Sequence, residues 1–270
     1  MLVFPNAKLN LGLYVTGQRP DGFRNLESAF VSLPWCDALE VLPAAENKLT
    51  LTGIPIPGDP ATNLCWRAYE LLRADFALPP VQLHLHKVVP IGAGLGGGSG
   101  DAAFALRALN ELFALALSPD ALESYARGLG SDCAFFIRNQ PVLAYEKGDV
   151  FQPLDLNLRG MVCKVIYPGL HISTAEAYSR VQARPPRHDL RQSLAQPMET
   201  WRETVSNDFE DALTPHYPVL GELKQALYAA GATYASLSGS GSAVYGLFAG
   251  RELPPALPLS AEYRVWDGVL

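Results

Sequence analysis

Pro90-Ile91-Gly92-Ala93-Gly94-Leu95-Gly96-Gly97-Gly98-Ser99-Gly100-Asp101-Ala102-Ala103 places six glycines within nine residues, between two different patterns. Upstream, Val81 to Val89 alternates apolar and polar residues, as a strand does. Downstream, over residues 100–117, the spacing is helical. The order is therefore strand, glycine loop, helix. A loop without Cβ atoms can turn sharply and aim several backbone N–H groups at one anion. The helix behind it adds unpaired N-terminal donors and the positive end of its dipole. Such a segment holds phosphate. A plain surface turn needs neither this many glycines nor a serine placed to cap a helix.

Three phosphate-loop patterns compete. Gly92 to Gly97 satisfies G-x-G-x-x-G, the dinucleotide fingerprint of a nicotinamide-dependent oxidoreductase. That reading needs a second strand ending in an acidic residue about 20 positions on. The residue there is Glu111, inside an apolar stretch with helical spacing, so the context fails. A P-loop needs Gly-Lys-Ser/Thr, and Gly98 is followed by Ser99 with no lysine. The third pattern is Pro-x-x-x-Gly-Leu-Gly, then small residues and Ser-x-x-Ala. It resembles the central motif of the GHMP kinases, a superfamily of small-molecule kinases.

Composition limits the alternatives. The 270 residues carry 49% hydrophobic and 18% charged side chains, which suits a globular protein with a full core. The net charge of −6 argues against nucleic acid or an anionic membrane as partner. No apolar run approaches the roughly 20 residues that span a bilayer. The opening residues lack the pattern of a signal peptide, so a cytoplasmic location is expected. Cys36, Cys65, Cys133 and Cys163 show no C-x-x-C pairing and read as buried free thiols. His84, His86, His171, His188 and His216 form no zinc-binding spacing, so no resident metal ligand is assigned.

Along the chain, residues 1–60 hold short β-like runs separated by turns such as Arg19-Pro20-Asp21-Gly22. Helical stretches follow at 64–72 and from Ser118-Pro119 to about Gly128. Residues 134–150 read as β again. A strand from Met161 to Tyr167 opens what reads as a second domain, with a helix at about 219–230 and later strands. The expected class is α+β, with domains at 1–157 and 158–270.

The resemblance becomes specific at the N-terminus. Asn6-Ala7-Lys8-Leu9-Asn10-Leu11-Gly12-Leu13-Tyr14, continuing to Gln18-Arg19-Pro20-Asp21-Gly22-Phe23-Arg24, resembles the opening of the 4-diphosphocytidyl-2-C-methyl-D-erythritol kinase family within the GHMP kinases. Leu129-Gly130-Ser131-Asp132-Cys133-Ala134-Phe135-Phe136, Pro168 to Tyr178, Ser206-Asn207-Asp208-Phe209-Glu210 and Ser236 to Ser242 resemble later family elements, in order. The resemblance implies an N-terminal domain like the second domain of ribosomal protein S5 and a ferredoxin-like C-terminal domain. It implies an ATP-dependent kinase of the non-mevalonate isoprenoid pathway that phosphorylates the 2-hydroxyl of its acceptor. Its partners would be ATP, Mg2+ and a cytidyl-diphospho sugar alcohol, and the chain a monomer or weak homodimer. Another GHMP kinase, acting on homoserine, mevalonate or a sugar, is the main alternative.

The resemblance also implies residue roles. Asp132 would be the base and Lys8 the catalytic cation beside it. Spacing alone also allows Asp132 to cap a helix starting at Cys133, and Lys8 to be a solvated strand lysine. Pro90, Gly92, Gly94, Leu95, Gly96, Gly97, Gly98, Ser99 and Gly100 would hold the ATP phosphates. Asn63 would help hold the nucleotide or would simply cap a helix. Asn10, Thr174, Gly239 and Ser240 would bind the acceptor. Phe23 and Tyr178 would sandwich the cytosine, or pack in the core. Arg24 stands where the family usually has histidine, and Phe23 where it has tyrosine.

Overall fold

The computed structural model describes residues 1–250 and 254–270. The strands are β1 (Leu2–Val3), β2 (Asn6–Gln18), β3 (Arg24–Cys36), β4 (Ala38–Pro43), β5 (Lys48–Gly53), β6 (Val81–Lys87), β7 (Val142–Glu146), β8 (Val150–Pro153), β9 (Val162–Tyr167), β10 (Tyr234–Leu237), β11 (Val244–Phe248) and β12 (Arg264–Val269). The helices are α1 (Leu64–Asp75), α2 (Gly97–Leu112), α3 (Pro119–Arg127), α4 (Phe135–Arg138), α5 (Thr174–Arg180), α6 (Leu190–Leu194), α7 (Trp201–Thr204), α8 (Asp208–Leu213) and α9 (Pro218–Ala229). Three four-stranded sheets, ordered β1-β4-β6-β5, β2-β3-β7-β8 and β10-β11-β9-β12, accompany these helices, as an α+β chain should show. No helix among the described residues is long and apolar enough to cross a membrane.

The chain forms two compact units that interleave in sequence. The first holds residues 1–8, 35–91 and 96–140; the second holds 9–34, 92–95 and 141–270. In the first unit β6 alternates buried and exposed residues, and its Val81, Leu83 and Leu85 enter the core. Small residues on α2 (Ala102, Ala103, Ala105, Ala108) are buried too. In the second unit, Val162 and Ile166 of β9 pack with Leu220, Leu223 and Leu227 of α9 and with Phe209 of α8.

Two segments depart from the sequence expectation. Residues 135–138 are helical rather than extended, and Asn139 ends that helix with φ +55°. The Phe135-Phe136 pair suits a strand locally, but Phe136 is buried against the glycine face of α2. Helix α2 spans 97–112, not 100–117. Asn110 stops it from reaching 117, because its Oδ1 accepts the Leu117 N–H at 2.9 Å.

A buried charge cluster lies in the first unit where β6 ends. The Lys87 ammonium bonds Asp37, and it bonds Asp101 Oδ2 at 2.9 Å. Asp37 Oδ1 also accepts the N–H groups of Val88 (2.5 Å) and Val89 (2.8 Å). Asp101 Oδ1 has no hydrogen-bond partner among the described residues. Burial pushes the Asp101 carboxyl up to about 7, with Lys87 pulling it down and Asp37 pushing it further up. The folded chain therefore keeps a proton here that an unfolded carboxyl, near 3.8, has lost. Stability from this group falls as pH rises from 3.8 to about 7. Asp101→Asn should remove that dependence. The variant should gain stability relative to the parent between about pH 5 and about pH 8, read by denaturant melts at each. A constant difference would mean that Asp101 is ionised throughout.

Candidate active site

Lys8 lies within the buried part of β2, its side chain 4% exposed and its Nζ 3.4 Å from Asp132 Oδ2. Burial pushes the Lys8 pKa down, and Asp132 partly restores it. Asp132 sits in the turn between α3 and α4 and is 29% exposed. It caps no helix: α4 starts at Phe135, with Ala134 as N-cap and no side-chain cap bond. A reachable carboxylate beside a buried cation can accept an alcohol's proton and stabilise charge that develops on a transferred group.

The start of α2 explains most of its glycines. Gly96 has φ +66°, and a Cβ on it would lie 3.0 Å from Lys8 Cγ and 3.1 Å from Phe136. A Cβ on Gly97 would lie 2.9 Å from Lys87 Nζ, and one on Gly100 only 2.5 Å from the Asn6 carbonyl. Gly98 is different: it is exposed, and its Cβ would meet only Leu64, at 3.9 Å. Nothing in the protein requires a glycine there. An anion seated on the first turn would, because the N–H groups of residues 97–99 precede the first helical bond, from Gly100 N to Gly96 O. Ser99 is half-buried, its hydroxyl within reach of Cys133. Pro90 is buried. Asn63 is the N-cap of α1, its Oδ1 accepting the Cys65 N–H at 2.9 Å.

In the second unit, the middle of the glycine loop meets the second glycine turn. Gly94 has φ +77°, and a Cβ there would lie 1.9 Å from the Ser238 carbonyl. Ser238 Oγ donates to Gly94 O (2.9 Å), and Ala243 N donates to Ala93 O (3.0 Å). A Cβ on Gly239 would lie 3.1 Å from Gly94 O and 3.3 Å from Asn10 Oδ1. Asn10, Gly94 and Gly239 are thus brought together, with half-buried Ser240 next in the turn. Asn10 Nδ2 donates to Ser28 Oγ (2.8 Å), which donates to Gly12 O (2.6 Å). Gly92 is exposed beside the His171 ring, and Leu95 is buried.

The residues expected at the cytosine sit in this unit as well. Phe23 is 59% exposed, with the Lys147 ammonium 5.3 Å from its ring centroid. Its loop is fastened by Arg19, which bonds Asp21, Asn25 and Glu146. Arg24 is half-buried at the start of β3. Tyr178 is half-buried and meets Phe209 edge-on, with centroids 5.0 Å apart. Thr174 is exposed at the start of α5, which Ser173 caps through Glu176 N.

Sequence reasoning missed Ser28, Lys147 and the Asp37–Lys87–Asp101 cluster. Ser28 lies 18 positions from Asn10, and no spacing rule links them. The Asn207-Asp208-Phe209-Glu210 element turns out to be a brace. Asn207 donates to Leu237 O and Gly239 O, Asp208 accepts Val15 N, and Glu210 accepts Leu237 N.

The family descriptions GHMP kinases N terminal domain and GHMP kinases C terminal match residues 63–140 and 188–258. A 4-diphosphocytidyl-2-C-methyl-D-erythritol kinase of Bacteroides thetaiotaomicron is 50% identical, covering 92% of each chain. One of Cytophaga hutchinsonii is 49% identical, again over 92% of each. The chain belongs to this family of GHMP kinases. A crystal structure of 4-(cytidine 5'-diphospho)-2C-methyl-D-erythritol kinase superposes with a TM-score of 0.80 at 32% identity, covering 93% of this chain and 91% of that one.

A GHMP kinase must hold ATP, and the bare first turn of α2 fits its phosphates. Gly98→Ala should therefore leave the melting temperature unchanged or raised, since Ala in a helix gains about 0.5–1 kcal/mol over Gly. If phosphate sits on that turn, the substitution should also raise the KM for ATP, because the methyl would project into the open space there. Gly94→Ala should do the opposite and cost stability outright, because its Cβ overlaps a carbonyl. Thermal melts and ATP kinetics on both variants check this. A silent Gly98→Ala would remove the anion from that turn.

Proposed function

We propose that this chain transfers the γ-phosphoryl group of ATP to the 2-hydroxyl of 4-diphosphocytidyl-2-C-methyl-D-erythritol. The observation that carries the reading is the 3.4 Å approach of Lys8 to Asp132, with Lys8 packed against Gly96, where α2 begins. The hydroxyl oxygen bonds to the γ-phosphorus while the bond from that phosphorus to the bridging oxygen of ADP breaks. The hydroxyl proton passes to the Asp132 carboxylate. The Lys8 ammonium offsets the negative charge on the phosphoryl oxygens. Gly96 to Ser99 would hold the β- and γ-phosphates through backbone N–H groups, with Pro90, Gly92, Gly94, Leu95 and Gly100 shaping the loop.

Magnesium would be held by phosphate oxygens, water and Ser99, and would neutralise charge between the phosphates. Asn10, Thr174, Gly239 and Ser240 would hold the acceptor, and Phe23, Arg24 and Tyr178 its cytosine. The family's two domains would be 1–157 and 158–270. The enzyme would work in the cytoplasm, as a monomer or weak homodimer, without a nucleic-acid or membrane partner.

A phosphotransfer assay with ATP and magnesium tests the reading. The cytidyl-diphospho acceptor should be phosphorylated, with homoserine, mevalonate and free methylerythritol phosphate poor substitutes. Equal rates on homoserine would leave only the superfamily. Lys8→Ala and Asp132→Asn should each lower kcat by about 10²–10⁴-fold while the chain stays folded. Near-normal turnover in either would move the chemistry elsewhere.

The base-stacking part has its own test. Tyr178→Ala should raise the acceptor KM by about ten- to a hundredfold, the equivalent of one lost stacking face at about 1–3 kcal/mol. It should spare the ATP KM, and Tyr178→Phe should be nearly silent. A drop in melting temperature with both KM values raised would make Tyr178 a packing residue against Phe209.

A further inference from the structure

Lys87 joins two parts of the chain that flank the glycine loop. It is the last residue of β6, and its ammonium bonds Asp101 in the second turn of α2. Asp37, between β3 and β4, completes the cluster. Its backbone N–H bonds Pro5 O at 2.8 Å, so its own position is fixed. Its Oδ1 takes the next two N–H groups after β6, those of Val88 and Val89. These three side chains are 0–4% exposed. They touch no solvent and can touch no substrate.

Such a cluster is an expensive way to hold a fold together. Burying one ammonium and two carboxylates costs desolvation that their attraction does little more than repay. Well-packed apolar side chains of similar volume would give equal or better stability. What ions supply and oils do not is direction. Each bond here fixes one end of the loop: Asp37 the exit of β6, Asp101 the start of α2. The lysine head also explains Gly97, whose Cβ would lie 2.9 Å from Lys87 Nζ. Burial keeps a proton on Asp101 up to about 7, so near neutrality the cluster carries little net charge behind the helix start. A net anion there would oppose phosphate binding.

We propose that Lys87 is a positioning residue for the nucleotide. Shared between Asp37 and Asp101, its ammonium clamps the two ends of the glycine loop so that the first turn of α2 presents its N–H groups to the phosphates. The proposal rests on the kinase reading above. It predicts a defect in nucleotide binding rather than in chemistry or acceptor binding.

The test is the double variant Lys87→Met/Asp37→Asn. With Asp101 protonated near neutrality, the parent cluster of one ammonium and one carboxylate and the variant cluster both carry no net charge, and the amide oxygen that replaces the Asp37 carboxylate can still accept the Val88 and Val89 N–H groups, so no unpaired charge is buried. ATP affinity is measured by calorimetry without acceptor, and kcat and both KM values by assay. The ATP Kd and KM should rise about tenfold or more, with the acceptor KM within about twofold and the chain still folded. An unchanged ATP Kd in the folded variant overturns the clamp. So does a parallel rise in both KM values with a lowered melting temperature, which is what a merely structural cluster would give. If the double variant does not fold, Asp101→Ala alone decides. It removes the acceptor and cuts one arm of the clamp while Lys87 stays paired with Asp37, so it should raise the ATP Kd about threefold or more, and no change would refute the proposal. A parent that binds ATP but phosphorylates nothing would refute the kinase reading and still leave the clamp measurable by calorimetry.

Discussion

The candidate site in the first unit depends on the burial of the Lys8 ammonium. A lysine whose side chain is 4% exposed cannot rely on water to hold its charge. It needs a carboxylate within reach, and that carboxylate must come from a different element. The turn after Gly130 supplies Asp132, and the short helix that follows seats Phe136 in the core. Gly96 then lets the backbone pass over the lysine's methylene stem, where a Cβ would press on it. The position of the ion pair, the starting point of α2 and the seating of α4 are thus consequences of one packing problem.

The second unit solves a different problem, the close approach of two backbone turns. Gly94 and the Ser238–Gly241 turn come nearer than any side chain permits, and Ser238 bonds across the gap. Turns this close have carbonyls facing one another, so something must anchor them from behind. Asn207 takes two of these carbonyls, Leu237 O and Gly239 O, and Glu210 takes the adjacent N–H of Leu237. The short acidic motif at residues 207–210 therefore works as scaffold. Its carboxylates are committed to backbone and to Lys224, and none is left for a reacting group.

The legible part of the chain was the part carried by local chemistry. Strand alternation at Val81–Val89, the serine cap and proline at 118–119, and the glycine loop each announce themselves within a few residues. The pairing of Lys8 with Asp132 spans 124 positions and was reachable only through resemblance to a family. The illegible parts share one cause. Asn10 with Ser28, Lys87 with Asp37 and Phe136 with Gly100 are contacts set by tertiary packing, and neither member of a pair has an unusual neighbourhood in sequence. Helix α4 was misread for the same reason: two adjacent phenylalanines look like strand until a glycine-faced helix is found beneath one of them.

The loop carrying Phe23 narrows how a base could be read there. The Phe23 N–H is spent on Asp21 Oδ1 at 3.1 Å, and its carbonyl accepts the Arg19 N–H at 2.9 Å. The N–H is therefore occupied, while the carbonyl keeps one lone pair and the ring remains on offer. That ring already carries the Lys147 ammonium on one side, 5.3 Å from its centroid. A cation over an aromatic face is attracted by the ring's quadrupole and withdraws from it only at a cost. A base stacking on Phe23 must therefore take the opposite face or displace Lys147. If it takes the opposite face, the lysine stays close to the ligand and can favour an anionic or carbonyl-rich one. Loss of the tyrosine hydroxyl at this position is then of little consequence, because the loop's own hydrogen bonds, centred on Arg19, already fix where the ring stands.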